Sequence, residues 1–383
     1  MILKGKLNTS LGELWIRKGL VVFQFTVSVI LIVSVMVVYQ QMKLIQTTNL
    51  GYSNDNILRF SNEDNLKNNL TSFITALKTT PGVINASDVD GDLMGNYSHK
   101  GGGIDWQGKD PNLHIEYYGN AADIDFFETM GLQMVEGRTF SKEFADSSSV
   151  IFNQSAIAAM GFKNPIGKTV SLWGEKKQII GIVKDYHFES LYKKIGPAFF
   201  TFSQNNPTTV VKIKAGTEQE TVAGIKNLFS KYNNGLEFTY SFLDEDYNKL
   251  YISDQRIAIL SKYFAGIAIL ISCLGLFGLA AFTAQKRKKE IGIRKVLGAS
   301  VTNVVAMLSK DFVMLVGLAL LIAIPISWWA ANEWLQSFAY HIIINPLVFV
   351  ITVISVILIT LFTISFQSIT AAITNPVKSL RAE

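Results

Sequence analysis

Four apolar runs limit what this chain can fold into more than any other feature. Residues 20–39, 264–282 and 347–366 are each long enough to cross about 30 Å of hydrocarbon as a helix. A fourth run, 312–331, contains Pro325 but is otherwise apolar, and proline is tolerated inside membrane helices. Composition agrees: the 383 residues are 49% hydrophobic and 17% charged, with a mean hydropathy of +0.27, too apolar for an ordinary soluble enzyme. The first run has the positive start of a secretory signal in "WIRKG". It lacks a small-residue cleavage site before "YQQMK" and is read as a retained helix.

Orientation follows from the cations close to the helix ends. Lys4, Lys6, Arg17 and Lys18 stand against Glu13 before the first run. Six cations stand against Glu290 in 286–295, and Lys378 and Arg381 against Glu383 after the last run. Between 296 and 373 the charged residues are Lys310, Asp311 and Glu333, so the balancing acidic excess lies in 19–285. All basic flanks fall on one side, and four crossings return both termini to it. The expectation is a multi-pass protein of the inner (plasma) membrane with both termini cytoplasmic. The net charge of +5 thus reflects orientation, and no nucleic-acid partner is implied. The single cysteine, Cys273, lies mid-span and reads as a small packing residue.

Between the first two spans lies a segment far too long for a loop and ample for a folded domain. "EDNLKNNLTSFITALKTT" places Leu66, Leu70, Phe73, Ile74 and Leu77 on one helical face, and "ETVAGIKNLFSKY" does so with Val222, Ile225, Leu228, Phe229 and Tyr232. "LHIEYYG", "KTVSLW", "KQIIGIVKD", "TTVVKIKA" and "LEFTYSFL" read as strands. The fold class is therefore a membrane protein of four transmembrane α-helices, with a large α+β extracytoplasmic domain between helices 1 and 2. Expected boundaries are a cytoplasmic segment 1–18, helix 1 at 19–41, the domain with its stalk at 42–256 and helix 2 at 257–284. A cytoplasmic coupling helix at 285–308, helix 3 at 309–331, helix 4 at 347–369 and a cytoplasmic tail at 370–383 follow. "DEDYNKLYISDQRIAILSKYF" keeps helical spacing through Tyr247, Leu250, Tyr251 and Ile257, without proline or glycine, and predicts a continuous helix into the membrane.

Several motifs resemble chemistry without its spacing. "GFKNPIGKT" mimics a phosphate loop, yet five residues separate Gly161 from Gly167 where four are required, and Pro165 removes a donor. His99, His114, His187 and His341 lack partners at ligand spacing, so neither metal nor cofactor is expected. Asp185 and His187 in "KDYHF" come nearest to a catalytic pair, and a turn with surface polar groups is the preferred reading. No residue is assigned a catalytic role. The spans hold almost no ionisable residues, which disfavours a solute channel through them.

"KRKKEIGIRKVLGAS" at 286–300 is the most informative stretch. From Ile293 onward Val296, Leu297, Val301, Val304, Val305, Leu308 and Phe312 recur at helical spacing, and Glu290 stands four residues before Arg294. From the residues alone two readings stand: an interfacial helix on anionic lipid, or a partner-docking helix whose Gly292, Gly298 and Ala299 permit close approach.

"KEIGIRKVLGAS" resembles the motif after the second span in FtsX-like permeases of the MacB type, the membrane partners of an ABC ATPase. "WIRKGLVVFQF", "VEGRTFS", "NPIGKTV", "IIGIVKDYHFESL", "CLGLFGLAAF" and "NPVKSLRAE" extend the likeness along nearly the whole chain. The resemblance implies a permease subunit that couples ATP hydrolysis by a separate cytoplasmic ATPase to movement of its periplasmic domain, for export or extraction. It places the docking face at Glu290, Ile291, Gly292, Ile293, Arg294, Lys295, Leu297, Gly298, Ala299 and Ser300, and the stalk at 244–262. It makes "EGRTF" and "NPIGK" turns that shape the domain. The start of the chain resembles the middle of two-repeat Bacteroidota permeases, so a second permease half and a homodimer both stand as partners, beside membrane lipid and, for export across a second membrane, a periplasmic adaptor. A membrane sensor, or an enzyme tethered through the extracytoplasmic domain, is the alternative function.

Overall fold

The computed structural model describes residues 11–63, 65–233 and 236–373, so Lys4, Lys6, Lys378 and Arg381 lie outside the described residues. The chain divides into two compact units. One holds the apolar helices. The other comprises residues 47–252 together with 338–340.

In the first unit, α1 (Leu11–Thr47), α8 (Ile252–Lys286), α10 (Val301–Leu335) and α11 (Leu347–Ile373) each contain a segment long and apolar enough to cross a membrane. The 35 residues of α8 extend about 52 Å at 1.5 Å per residue, well past the hydrocarbon core. Pro325 sits inside α10 without ending it. Val21, Phe25 and Val29 of α1 pack with Leu276 and Leu279 of α8, Phe312, Val316 and Ala319 of α10, and Val356 and Ile364 of α11. Small residues bring α1 and α8 close: Ser28 and Ser272 share a hydrogen bond of 3.0 Å, and a Cβ on Gly275 would stand 2.5 Å from Gln24 Oε1. Leu274, Leu321 and Phe362 face outward, as helices solvated by lipid require.

The second unit is α+β. Its strands are β1 (Ile57–Ser61), β2 (Val83–Asp90), β3 (His99–Gly101), β4 (Ile104–Asp105), β5 (Tyr117–Ala122) and β6 (Met134–Gly137). They continue with β7 (Ser149–Asn153), β8 (Thr169–Leu172), β9 (Glu175–Val183), β10 (Ala198–Phe202), β11 (Thr208–Ile213) and β12 (Ser241–Phe242). They form one mixed sheet in the order β12-β1-β11-β2-β5-β10-β7-β9-β8-β4, with β3 on β5 and β6 on β9. The pairs β5/β10 and β7/β9 are parallel and the remainder antiparallel. Helices α2 (Asn65–Asn68), α3 (Leu70–Lys78), α4 (Phe126–Met130), α5 (Gln154–Met160), α6 (Glu218–Tyr232) and α7 (Leu243–Lys249) complete the unit.

The amphipathic faces read from the sequence build one core: Phe73 of α3 and Phe229 of α6 meet Phe60 of β1 edge to face, at 6.0 and 5.9 Å. A second core gathers Phe152, Ile179, Tyr117 and Phe199 of the sheet with Ala156 and Ile157 of α5. The "EGRTF" stretch, expected as a turn, instead begins as the end of β6 and leaves the strand at Arg138. Arg138 holds the Asp146 carboxylate with two hydrogen bonds of 2.8 and 2.7 Å, and Gly137 (φ +79°) approaches so closely that a Cβ would lie 2.2 Å from the Ile180 carbonyl. Burial pushes the Asp146 carboxyl up, but hydrogen bonds from Arg138, Ser141 N–H and Ser149 outweigh it and leave it below the usual carboxylate range.

The predicted continuous helix at the domain boundary is interrupted. After α7 the amides of Leu250 and Tyr251 bond back three residues, to Tyr247 and Asn248, before α8 begins. The cause is tertiary: Tyr251 is buried and its hydroxyl accepts the Leu191 N–H at 2.7 Å. Residues 338–340, which sequence reading assigns to no domain, belong to this unit too. The Phe338 ring stacks on Tyr192 at 4.2 Å, and the Tyr340 ring meets His187 at 4.7 Å.

Candidate partner-docking site

The docking face predicted at 290–300 forms a corner. Helix α9 (Lys288–Val296) follows α8 after a one-residue turn, and the chain turns again before α10. The sequence predicts one helix over 285–308, and the structure corrects this. Gly298 adopts φ +90°, and Ser300 caps α10 by accepting the Asn303 N–H at 3.2 Å. A left-handed glycine followed by a serine cap ends one helix and starts the next.

The corner sorts the predicted residues. Ile291 is buried against Val304 and Leu308, and Gly292 is buried as well, so both turn inward. Glu290, Ile293, Arg294, Leu297, Gly298 and Ser300 are exposed, with Ala299 half-buried and Lys295 on the same helix. Arg294 donates to Glu290 at 2.9 Å, one helical turn back. The apolar ridge read from the sequence is therefore split: Val304, Leu308 and Phe312 serve the unit's own packing, while Leu297 is 81% exposed. Arg287 pairs with Asp311 at 2.9 Å, joining the end of α8 to α10. Sequence reading assigns that ion pair no role, although Asp311 stands out as an acid beside an apolar run.

The rejected motifs have structural duties. Gly161 closes α5 in a left-handed conformation with its N–H on Ala158 O, and Gly167 donates to Ile179 O at 2.8 Å, so neither cradles an anion. Asp185 accepts from the Ser155 N–H and hydroxyl at 2.9 and 2.7 Å, near the start of α5. His187 is buried, donates its backbone N–H to Leu50 O, and has its imidazole pushed below the usual range by burial. Each side of this pair is occupied with holding loops.

A charged hub that sequence reading misses lies at the domain edge. Arg59 of β1 reaches Asp92 and Asp246, each at 2.8 Å, and Lys249 reaches Asp246 at 2.7 Å. Burial raises the Asp246 carboxyl, yet hydrogen bonds from Lys249, Ser241 and Arg59 bring it below its ordinary value. The four residues are far apart in sequence except for Asp246 and Lys249, so no local pattern announces them.

Comparison with known proteins adds two matches that together cover most of the chain. Residues 25–227, more than half of it, match the model of the MacB-like periplasmic core domain, and residues 263–376 match that of the FtsX-like permease C-terminal region. The chain belongs to the MacB/FtsX-type permease family. Four apolar helices with an α+β domain between the first and second are the expected fold of that family, and both parts are present. The macrolide export ATP-binding/permease protein MacB of Aggregatibacter actinomycetemcomitans is 22% identical over 192 residues, 47% of this chain and 30% of that protein. The pyoverdine export ATP-binding/permease protein PvdT of Pseudomonas fluorescens is 24% identical over 239 residues, 55% of this chain and 35% of that protein. The chain thus spans about a third of the length of the curated relatives it matches. Among solved structures, the periplasmic region of MacB from Actinobacillus actinomycetemcomitans aligns with a TM-score of 0.38 at 16% identity, covering 54% of this chain and 97% of that one.

Proposed function

We propose that this chain is the membrane subunit of an ABC transporter that receives work from a separate ATPase at α9 and delivers it to the domain between the first two spans. The ATPase engages the exposed side of α9, formed by Ile293 and Arg294, together with Leu297 in the turn that follows it, on the cytoplasmic side of the inner membrane, where both termini also lie. Movement of the domain then serves export or extraction of a substrate on the far side. A second four-span unit, a paired half or another copy, supplies the second docking site that a dimeric ATPase needs.

One observation carries the reading. A helix of nine residues, connecting two spans, is anchored from within by Ile291 on Val304 and Leu308 while Ile293, and Leu297 in the turn after it, are left exposed. Surfaces of that kind mark protein or membrane contacts, and likeness to permeases that carry an ATP-binding part favours the protein. The near absence of charge inside the spans supports force, and not solute, as what passes through the membrane unit.

The test is reconstitution of the full chain with its ATPase in lipid discs. Arg294→Glu reverses the charge of the face, and Gly298→Trp alters the turn that presents it. Both variants are expected to insert normally and to lose stimulation of ATP turnover. Wild-type stimulation in both would remove α9 from the mechanism.

A further inference from the structure

The two ends of α9 join their neighbours differently. Toward α8 the helical bonds run on across the one-residue turn: Arg287 N–H bonds to Thr283 O at 3.0 Å, and Ile291 N–H to Arg287 O at 2.9 Å. Toward α10 the helix breaks at Gly298, whose φ is +90°. We propose, resting on the docking role given to α9 above, that Arg287 and Asp311 are positioning residues of the coupling. Their ion pair is the fulcrum on which α9 and the end of α8, joined as one lever, turn against α10.

Three observations carry this. Arg287 is itself the turn residue between the two helices, and its Nη2 donates to Asp311 Oδ2 of α10 at 2.9 Å. One helical turn beyond Arg287, Ile291 packs on Leu308, which stands one turn before Asp311 in α10. Ion pair and apolar contact are thus successive rungs between two segments that run in opposite directions. Beside the pair, a cavity of about 180 Å³ that reaches Leu279, Phe282 and Leu315 leaves that side without close packing. A contact with packing on one side and space on the other sets a position and still allows rotation. Lys18 and Lys286 line the same cavity, and the Lys286 ammonium lies 5.1 Å from the centre of the Phe282 ring. The argument needs no surplus of charge, only that the acid of α10 is held by the hinge residue.

The two side chains are 38% and 43% exposed, and an ion pair of that exposure shifts an equilibrium by up to about five-fold while adding little to overall stability. Asp311→Asn is the cleaner deletion, because it also removes any contact with Lys18 or Lys286. The full chain in lipid discs is titrated with its ATPase, and Kd, maximal ATP turnover and thermal unfolding are read together. Asp311→Asn is expected to keep the Kd and melting temperature of the wild type and to lower maximal stimulation by up to about five-fold. Arg287→Lys keeps the charge and most of the stimulation, and the exchange of Arg287→Asp with Asp311→Arg restores most of what Asp311→Asn loses. Without the ATPase, a spin label at Ile293→Cys, in a Cys273→Ser chain, is expected to gain mobility on Asp311→Asn. Should Asp311→Asn fail to fold, Arg287→Gln takes its place in each comparison. Wild-type stimulation in the deletion variant, a loss that appears in Kd instead of turnover, or a label whose mobility is unchanged overturns the fulcrum. Absence of stimulation in the wild type would instead remove docking at α9, and the label would still decide whether the ion pair pins the hinge.

Discussion

Leu297→Asp separates a docking helix from one that lies on lipid. Leu297 is 81% exposed in the chain by itself, so its replacement removes almost no internal packing, and stability should stay within about 0.5 kcal/mol. If an ATPase covers it, a leucine side chain passes from exposed to buried, worth about 1.5–3 kcal/mol, and an aspartate in its place adds a desolvated charge. Taking about 2 kcal/mol as the smaller effect, the Kd for the ATPase should rise roughly thirty-fold. Ile291→Asp supplies the contrast. Ile291 is 5% exposed against Val304 and Leu308, so that change should lower the melting temperature and weaken binding together. The measurement is a titration of the purified ATPase onto discs carrying each variant, with thermal unfolding in parallel. An unchanged Kd for Leu297→Asp, combined with loss of vesicle association by a peptide of residues 286–300, would refute docking and leave an interfacial helix.

Two predictions concern the domain. Asp88 is buried and its carboxyl is pushed up to about 7 by burial and by the nearby Asp123 charge, against hydrogen bonds from Asn206 that lower it. A raised folded-state pKa gives stability that is fully present below the unfolded value near 4 and is lost as pH rises through about 7. Asp88→Asn keeps an acceptor for Asn206, so denaturant titrations should show a flatter pH profile between 4 and 7 and higher stability at pH 8, on the order of 3 kcal/mol. Gly137→Ala places a methyl against the Ile180 carbonyl, 2.2 Å away, in a left-handed backbone. It should cost more than about 3 kcal/mol and abolish the β6–β9 pairing, read as lost amide protection at Arg138 and Ile182.

Much of the architecture was legible because it rests on long apolar runs and amphipathic helices. The four spans, α3, α6, and the strands β8, β9 and β11 follow from spacing alone. Strand β2 did not announce itself. Its sequence "VINASDVD" buries Ser87 and Asp88 beside Ala86 and Val89, so apolar and polar residues fail to alternate, and Asp88 is satisfied from a distant Asn206. Strands β3 and β4 are too short to carry a pattern, and of the strand read at "LEFTYSFL" only Ser241–Phe242 pairs as β12. At the candidate site the periodicity misleads, because apolar residues continue at helical spacing straight through the turn at Gly298. The glycine followed by a capping serine was the competing signal, and the backbone obeyed it. The interruption at Leu250–Tyr251 had no local signal at all, since a buried tyrosine hydroxyl sixty residues from its partner amide makes it.

The two chain segments by which the domain unit continues into α8 and follows α10 meet, within that unit, on one aromatic group. The end of α8 and the start of α10 are joined through Arg287 and Asp311, and α9 rests on α10 through Ile291. At its other end α8 begins at Ile252, next in the chain to Tyr251, and α10 ends at Leu335, shortly before Phe338. In the domain unit Tyr192 stacks on both, on Phe338 at 4.2 Å with planes 18° apart and on Tyr251 at 6.1 Å with planes 22° apart. Backbone bonds from Ala339 and Tyr340 to the carbonyls of Tyr192 and Leu191 fasten the same loop. Residues 191–192, between β9 and β10, are thus the part of the domain unit that holds both segments. In the same unit α7, which precedes Tyr251 in the chain, is tied to the sheet separately, where Asp246 grips Arg59 of β1.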